Sequence, residues 1–209
     1  LLDYYLRQQK RSQGEAAAQG IVAGINAALY VKGEAPFELP RSSSYAGTLI
    51  DDLVTKEIGE PYRMMTSRSE YRLLLRQDNA DVRLTPLGRE IGLVDDYRWR
   101  LFNEKQEAIG AEKTRLKKTR IHPGQGFEEA LLPFDESLKQ SVTLEELLRR
   151  PRVPYSVIEA KAPASEVPFA FALEVETDVK YAGYIERQRL QIEHTEKYDK
   201  VKLPQDFDY

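Results

Sequence analysis

Residues 95–118 read DDYRWRLFNEKQEAIGAEKTRLKK, and this stretch decides the fold class. Asp95 is a residue type that caps helix N-termini, because its carboxylate accepts hydrogen bonds from free backbone amides. Trp99, Phe102 and Ile109 recur at helical spacing, with charged residues around them. The pattern predicts a helix reaching about Lys118, with an aromatic stripe that is more typical of a core than of a binding platform.

The sequence on both sides of this stretch carries further helix signals. Thr85 followed by Pro86 predicts the start of a helix, and Gly92 can end it. The segment Thr143-Leu-Glu-Glu146 has the capping-box pattern and predicts a short helix. Residues 168–198 predict a long charged helix. The sequence therefore predicts a mainly α-helical fold.

The N-terminal region predicts another helix, over residues 14–31, with Gly33 suited to a left-handed cap. Its first turns have almost no side-chain bulk, and Gln19 is the one polar group placed to bind a ligand there. Small residues of this kind fit either close packing of the helix against a sheet or the close approach of a flat ring system. Composition favours packing.

A cluster of six arginines without a lysine lies between Pro61 and Arg89, with only three carboxylates among them. Ser67 and Glu70 form a capping-box pattern, which predicts a helix beginning there. Arg68, Arg72 and Arg76 would then form one stripe, with Arg63 arriving from the segment before it. Arginine grips phosphate bidentately, so the cluster indicates a nucleic acid or phosphorylated ligand. The alternative is a set of surface ion pairs.

Several segments, taken together, resemble one family. They are residues 60–85 (EPYRMMTSRSEYRLLLRQDNADVRLT), 14–27 (GEAAAQGIVAGINA), 49–55 (LIDDLVT), 181–188 (YAGYIERQ) and 203–209 (LPQDFDY). In their order along the chain, these segments resemble the glucose-inhibited division protein A family (GidA/MnmG), flavin-dependent tRNA uridine 5-carboxymethylaminomethyl modification enzymes. Residues 1–13, LLDYYLRQQKRSQ, depart from the family's flavin-enclosing segment. The family's Gly-rich dinucleotide-binding domain and helical tail are not matched, so we expect an excised C-terminal piece.

The resemblance implies a mainly α fold, the helical C-terminal module of an FAD-dependent enzyme, plus one edge helix of its flavin (Rossmann-like) domain. Residues 1–55 would be the edge of the FAD-binding domain with a connector. Residues 56–209 would be a helical domain that binds tRNA and partner proteins, incomplete at its C-terminus.

The family likeness also implies an activity, cofactors and partners. With FAD, NADH and a folate-derived carbon, the intact enzyme would build a carboxymethylaminomethyl-type group at C5 of the wobble uridine of certain tRNAs. It would act as a homodimer with an MnmE/TrmE-type GTPase. Gln19 would help to hold FAD, and Arg63, Arg68, Arg72 and Arg76 would bind tRNA. We expect no catalytic residue in this chain, which alone would be inactive.

Composition excludes several classes of site. The 209 residues, 41% of them hydrophobic, contain no cysteine and only two histidines, so we expect no disulfide, thiolate zinc site or other metal centre. No stretch approaches the roughly 20 apolar residues that span a bilayer. We expect a cytoplasmic protein without membrane contact. Two other functions stay open: a non-catalytic helical module that binds RNA or protein, and an unrelated flavin oxidoreductase acting on small molecules.

Overall fold

The structure, a computed structural model, describes residues 13–57, 62–164 and 169–199, and it is mainly α-helical, as predicted. By their contacts, the described residues up to Val94 form one compact unit and Asp95–Lys197 form a second. The predicted boundary at residue 55, between a flavin-domain edge and a helical domain, stays a prediction. The divergent residues 1–12 and the family-like segment 203–209 lie outside the described residues.

The described part of the first unit contains three α-helices: α1 (Gln13–Lys32), α2 (Tyr45–Thr55) and α3 (Ala80–Glu90). As predicted, α1 is followed by Gly33 in the left-handed conformation, with φ of 70°. The connector then folds back onto α1, because the Asn26 side chain accepts from the Phe37 amide (2.7 Å) and donates to the Phe37 carbonyl (3.0 Å). This pair fixes the path of the chain into α2.

Helix α2 sits directly against the connector. The Ser44 hydroxyl caps it by accepting from the Gly47 amide at 2.9 Å. A Cβ at Gly47 would lie only 2.3 Å from the Pro40 carbonyl oxygen, so this position requires glycine. The contact brings Arg41, one residue beyond Pro40, beside the buried face of α2.

The predicted helix beginning at Ser67 is wrong. Thr66–Arg68 form one 3₁₀ turn, and turns and bends continue until α3 begins at Ala80. The capping box fails because Arg41 takes the Glu70 carboxylate that the box would need, with Nε–Oε1 and Nη2–Oε2 distances of 2.6 and 3.0 Å. A distant side chain has overridden a local pattern.

The predicted helix start at Thr85 is also wrong, because Pro86 lies inside α3 rather than at its first position. Arg83 anchors the earlier turns: it donates to the Asn79 side chain at 3.1 Å and to the carbonyls of Arg76 and Ser43. These bonds hold the chain in place around the start of α3. The predicted end is confirmed, since Gly92 follows α3 with φ of 80°.

The second unit begins with the long helix predicted from the sequence, α4 (Asp96–Lys118), and the Asp95 carboxylate caps it by accepting from the Arg98 amide at 2.7 Å. The other elements are β1 (Arg120–Ile121), α5 (Phe127–Leu131), β2 (Val142–Thr143), α6 (Leu144–Leu148), α7 (Tyr155–Lys161) and α8 (Phe169–Asp199). The two short strands pair antiparallel, Arg120 opposite Thr143. The capping box of Thr143 with Glu146 is formed, as predicted.

Aliphatic side chains from most of these elements build the core of the second unit. Its fully buried members include Leu116, Leu131, Leu144, Leu147, Leu148, Ile158 and Val175. Of the predicted stripe on α4, Ile109 is buried in this core, whereas Trp99 and Phe102 are half-buried and stack on each other at 5.4 Å. None of the described helices is long and apolar enough to cross a membrane.

Candidate nucleic-acid interface

Arg41 organises the arginine-rich segment of the first unit. Its guanidinium bonds both oxygens of Glu70, donates to the Arg68 carbonyl at 3.1 Å, and pairs with Asp51 (2.9 Å) and Asp52 on α2. Bonds to these carboxylates raise the Arg41 pKa, so its charge is permanent. Arg41 therefore fixes a segment made of turns and one 3₁₀ turn against helix α2.

Asp52 is the buried centre of this network, with no exposed surface. Its carboxylate accepts from Tyr62 Oη at 2.7 Å and pairs with Lys56 Nζ at 2.7 Å, in addition to Arg41. Burial alone would raise the pKa of Asp52, but the bonds from Lys56, Tyr62 and Arg41 outweigh it and hold the pKa at about 2. Burial and the same carboxylate raise the pKa of Tyr62 to about 12. Asp52 thus anchors the start of the arginine-rich segment through Tyr62.

Three of the four predicted tRNA-binding arginines stand on the surface of this anchored segment. Arg63, Arg68 and Arg72 are exposed. The Arg68 guanidinium lies 5.5 Å above the Tyr62 ring, which leaves its edge available to a ligand. Among the described residues, neither Arg63 nor Arg72 makes a hydrogen bond or ion pair. We name these three the arginine surface.

Arg76, the fourth predicted residue, is placed differently. Its side chain is only 14% exposed, pairs with Asp78 at 3.1 Å and donates to the Leu73 carbonyl at 3.0 Å. Because residues 69–79 are not helical, the predicted stripe of Arg68, Arg72 and Arg76 does not exist. Arg76 closes a turn instead of extending the arginine surface.

Gln19 is exposed on α1, the helix that the resemblance places beside FAD. At the neighbouring Gly20, a Cβ would meet no atom within 4 Å, so α1 is open next to Gln19. Another side of α1 lines an apolar pocket of about 240 Å³ with the connector and α3, and Gln19 is not among its lining residues. The flavin contact of Gln19 stays a prediction.

Sequence reasoning missed Arg41 and Asp52. Adjacent residues on a helix point apart, so the pair Asp51-Asp52 does not indicate a shared acid/base site, and the sequence favours a capping or surface role. The structure places only Asp51 at the surface, where it is half-exposed, whereas Asp52 is buried. The available signal was helical spacing: Asp52 falls three residues after Leu49 and four after Thr48, both buried. A carboxylate in that register is buried and needs cationic partners.

Comparison with known proteins decides the family. The sequence model of the tRNA modifying enzyme MnmG/GidA C-terminal helical domain matches residues 96–189, inside the second unit. A protein of Synechocystis sp. named tRNA uridine 5-carboxymethylaminomethyl modification enzyme MnmG is 51% identical over 197 residues, and one of Caldicellulosiruptor saccharolyticus with the same name is 49% identical. The chain belongs to the MnmG/GidA family.

The solved structures agree with the sequence relatives. Aquifex aeolicus GidA superimposes with a TM-score of 0.75 at 41% identity in one crystal form, and with 0.73 at 40% in another. Each match covers 93% of this chain but 30% of the GidA chain. The two MnmG relatives are likewise matched over 93% of this chain and 31% and 32% of their own length. The chain therefore spans about a third of the MnmG proteins it matches.

Proposed function

We propose that this chain is part of a tRNA uridine 5-carboxymethylaminomethyl modification enzyme, in which the arginine surface binds tRNA. The observation that carries the proposal is the set of three exposed guanidiniums, Arg63, Arg68 and Arg72, on a segment that Arg41 and the buried Asp52 hold in place. The names of relatives about 50% identical supply the substrate class.

The chemistry of the arginine surface suits RNA. Guanidinium groups form charge-assisted, bidentate bonds to phosphate and keep their charge at any physiological pH. The Arg68 guanidinium lies 5.5 Å from the centre of the Tyr62 ring, so an unstacked base at this surface would meet a planar cation and an aromatic ring together. Because Arg41 and Asp52 already hold the segment, little further ordering would be needed on binding. Arg76 would contribute indirectly, by closing the turn that follows Arg72.

FAD belongs to the same proposal, and the residues present fit it. Gln19 is exposed, and the adjacent Gly20 has no side chain and open space around it, which suits a flat ring lying against this part of the helix. Gln19 would hold the cofactor by hydrogen bonding. When bound, FAD supplies the redox chemistry, with NADH as the reductant that the family resemblance implies.

We also infer from the resemblance that the intact protein works with an MnmE/TrmE-type GTPase, as a homodimer, on the wobble uridine. A second candidate is a non-catalytic RNA- or protein-interaction module. It is favoured by Asp52, whose carboxylate is held ionised by three structural partners and is not a free general base. Flavin absorbance separates the two: a yellow intact protein that modifies tRNA supports the enzyme, and a colourless inactive one supports the module.

The test of the arginine surface is the salt dependence of tRNA binding by the intact enzyme. Arg63→Ala, Arg68→Ala and Arg72→Ala should each weaken binding and lower the slope of log K against log salt by about one unit. Arg152→Ala is the matched control, because Arg152 is 63% exposed and paired with Asp135 at 2.9 Å. Unchanged slopes in all three variants would reject the arginine surface as the binding site.

A further inference from the structure

Tyrosine rings with an arginine guanidinium over them occur at three places in the described residues. The pairs are Tyr62 with Arg68 (5.5 Å), Tyr97 with Arg100 (5.5 Å) and Tyr184 with Arg187 (5.1 Å). The second and third pairs lie on helices α4 and α8, where a spacing of three residues alone brings two side chains together. Tyr62 and Arg68 are six residues apart and outside the α-helices, so the fold of their segment creates this contact.

The backbone of Arg68 is held by two hydrogen bonds. Its amide donates to the Met65 carbonyl at 2.9 Å, and its carbonyl accepts from the Arg41 guanidinium at 3.1 Å. These bonds do not orient the long side chain, which makes no hydrogen bond or ion pair among the described residues. The Tyr62 ring is therefore the group that restrains the Arg68 guanidinium.

The Tyr62 ring is itself anchored at its far end. Its hydroxyl donates to the carboxylate of Asp52 at 2.7 Å, and that carboxylate is fully buried and paired with Arg41. The hydroxyls of Tyr97 and Tyr184, in contrast, make no hydrogen bond to any residue that the structure describes. Of the three tyrosine–arginine pairs, the one on the arginine surface is thus the one whose ring is tied to the interior of its unit.

The bond to Asp52 has two effects on the ring. It restrains the position of the ring, and with it the position of the guanidinium that lies over the ring. A phenol that donates its proton to a carboxylate also becomes more electron-rich, which strengthens the attraction of the ring face for a cation. A guanidinium restrained in this way loses less side-chain freedom when it binds a ligand. Affinity therefore increases without any contact between Tyr62 and the ligand.

We propose that Tyr62 is a positioning residue, whose ring, anchored through its hydroxyl to Asp52, holds the Arg68 guanidinium in the orientation that binds the ligand. The inference rests on the proposed tRNA function for its ligand, and it adds a residue that acts through Arg68. This role differs from direct stacking of a base on the Tyr62 ring and from general support of the fold. Both of those would affect binding whether or not Arg68 is present.

The test is a double-mutant cycle for tRNA binding by the intact enzyme, measured over a range of salt concentrations. In the wild-type background, Tyr62→Leu should weaken binding about three- to tenfold, because the guanidinium must then be ordered on binding. In the Arg68→Ala background, the same change should weaken binding about 1.5-fold or less. The salt slope should separate the two residues. Arg68→Ala lowers it by about one unit, whereas Tyr62→Leu leaves it unchanged, since Arg68 still reaches its phosphate.

Two further variants control for the fold. Tyr62→Phe keeps the ring but loses the bond to Asp52, so it should bind tRNA more tightly than Tyr62→Leu, and its smaller loss should likewise depend on Arg68. It replaces Tyr62→Leu in the cycle if hydrogen exchange of the α2 amides shows that the leucine variant opens the first unit. Tyr97→Leu removes an exposed ring at the same distance from an arginine and should bind tRNA like the wild type.

The inference is overturned if Tyr62→Leu weakens binding equally with and without Arg68, or if Tyr62→Phe binds as weakly as Tyr62→Leu. An equal loss in Tyr97→Leu overturns it as well. If Arg68→Ala weakens tRNA binding and Tyr62→Leu does not, the inference fails while the arginine surface stands. If the alanine variants of all three surface arginines keep the wild-type salt slope, the arginine surface is rejected and the inference falls with it.

Discussion

Replacing Asp52 by asparagine should destabilise the fold of the first unit that holds the arginine surface in place. The carboxylate is fully buried and held by Arg41, Lys56 and Tyr62, so Asp52→Asn keeps its shape but leaves these donors facing a neutral amide. Lowering the pKa from 3.8 to about 2 corresponds to about 2 kcal/mol of folding free energy. Breaking a buried ion pair on one side costs about 3–5 kcal/mol. We therefore expect a loss of roughly 2–4 kcal/mol in the first unit.

Asp51→Asn is the matched control, because Asp51 pairs with the same Arg41 at 2.9 Å but is 41% exposed. A solvent-exposed pair of this kind contributes about 1 kcal/mol or less. The assay is hydrogen exchange of the α2 amides in the full chain, which reports the local opening free energy. Trp99 fluorescence, from the second unit, should be unchanged in both variants.

The pH dependence supplies the decisive comparison. Because the pKa of Asp52 is lowered in the folded state, its contribution is complete above about pH 4 and is lost as the pH falls toward 2. The stability gap between wild type and Asp52→Asn should shrink over that window. Equal stabilities of the two asparagine variants at neutral pH, or a gap that stays constant down to pH 2, would refute this account.

Further predictions concern packing, a second buried carboxylate and the cofactor. Gly47→Ala should destabilise the first unit by about 1–3 kcal/mol, because the added Cβ would clash with backbone oxygens. Gly110→Ala is the control: its Cβ would meet open space, so it should stabilise α4 by up to about 1 kcal/mol. Equal shifts of the denaturant midpoint in the two variants would contradict the clash at Gly47. Tyr155→Phe removes the 2.9 Å bond to buried Glu112 and should cost about 1–3 kcal/mol. Burial and Glu112 raise the Tyr155 pKa to about 12, so the wild type should lose free energy of unfolding as the pH rises from 10 to 12, whereas the phenylalanine variant should not show this loss. Parallel plots of unfolding free energy against pH for the two proteins would contradict this prediction. In the intact enzyme, Gln19→Ala should lower FAD occupancy, and normal flavin absorbance would leave Gln19 without that role.

Helix ends that depend on hydrogen bonds between residues close in sequence could be predicted from the sequence. Asp95 caps α4 and Thr143 opens α6 because in each case donor and acceptor lie within three residues, where no other group competes. The mainly α fold follows from such signals together with helical hydrophobic spacing.

The arginine-rich segment could not be predicted in the same way. Its capping box is a valid local pattern, but Arg41, 29 residues before Glu70, binds the required carboxylate. Sequence spacing contains no information about that competition. Arg41 and its carboxylates therefore set the conformation that exposes Arg63, Arg68 and Arg72. The predicted helical stripe of Arg68, Arg72 and Arg76 is absent because it depended on the same local pattern.

The cations of the arginine surface are guanidiniums without exception, since no lysine occurs between residues 61 and 89. Acetylation neutralises lysine ammonium groups and therefore has no target in this segment. A guanidinium group keeps its proton throughout the physiological pH range. The charge offered to a ligand is consequently a constant of the molecule. Ionic strength is then the main solution variable that tunes its electrostatic attraction.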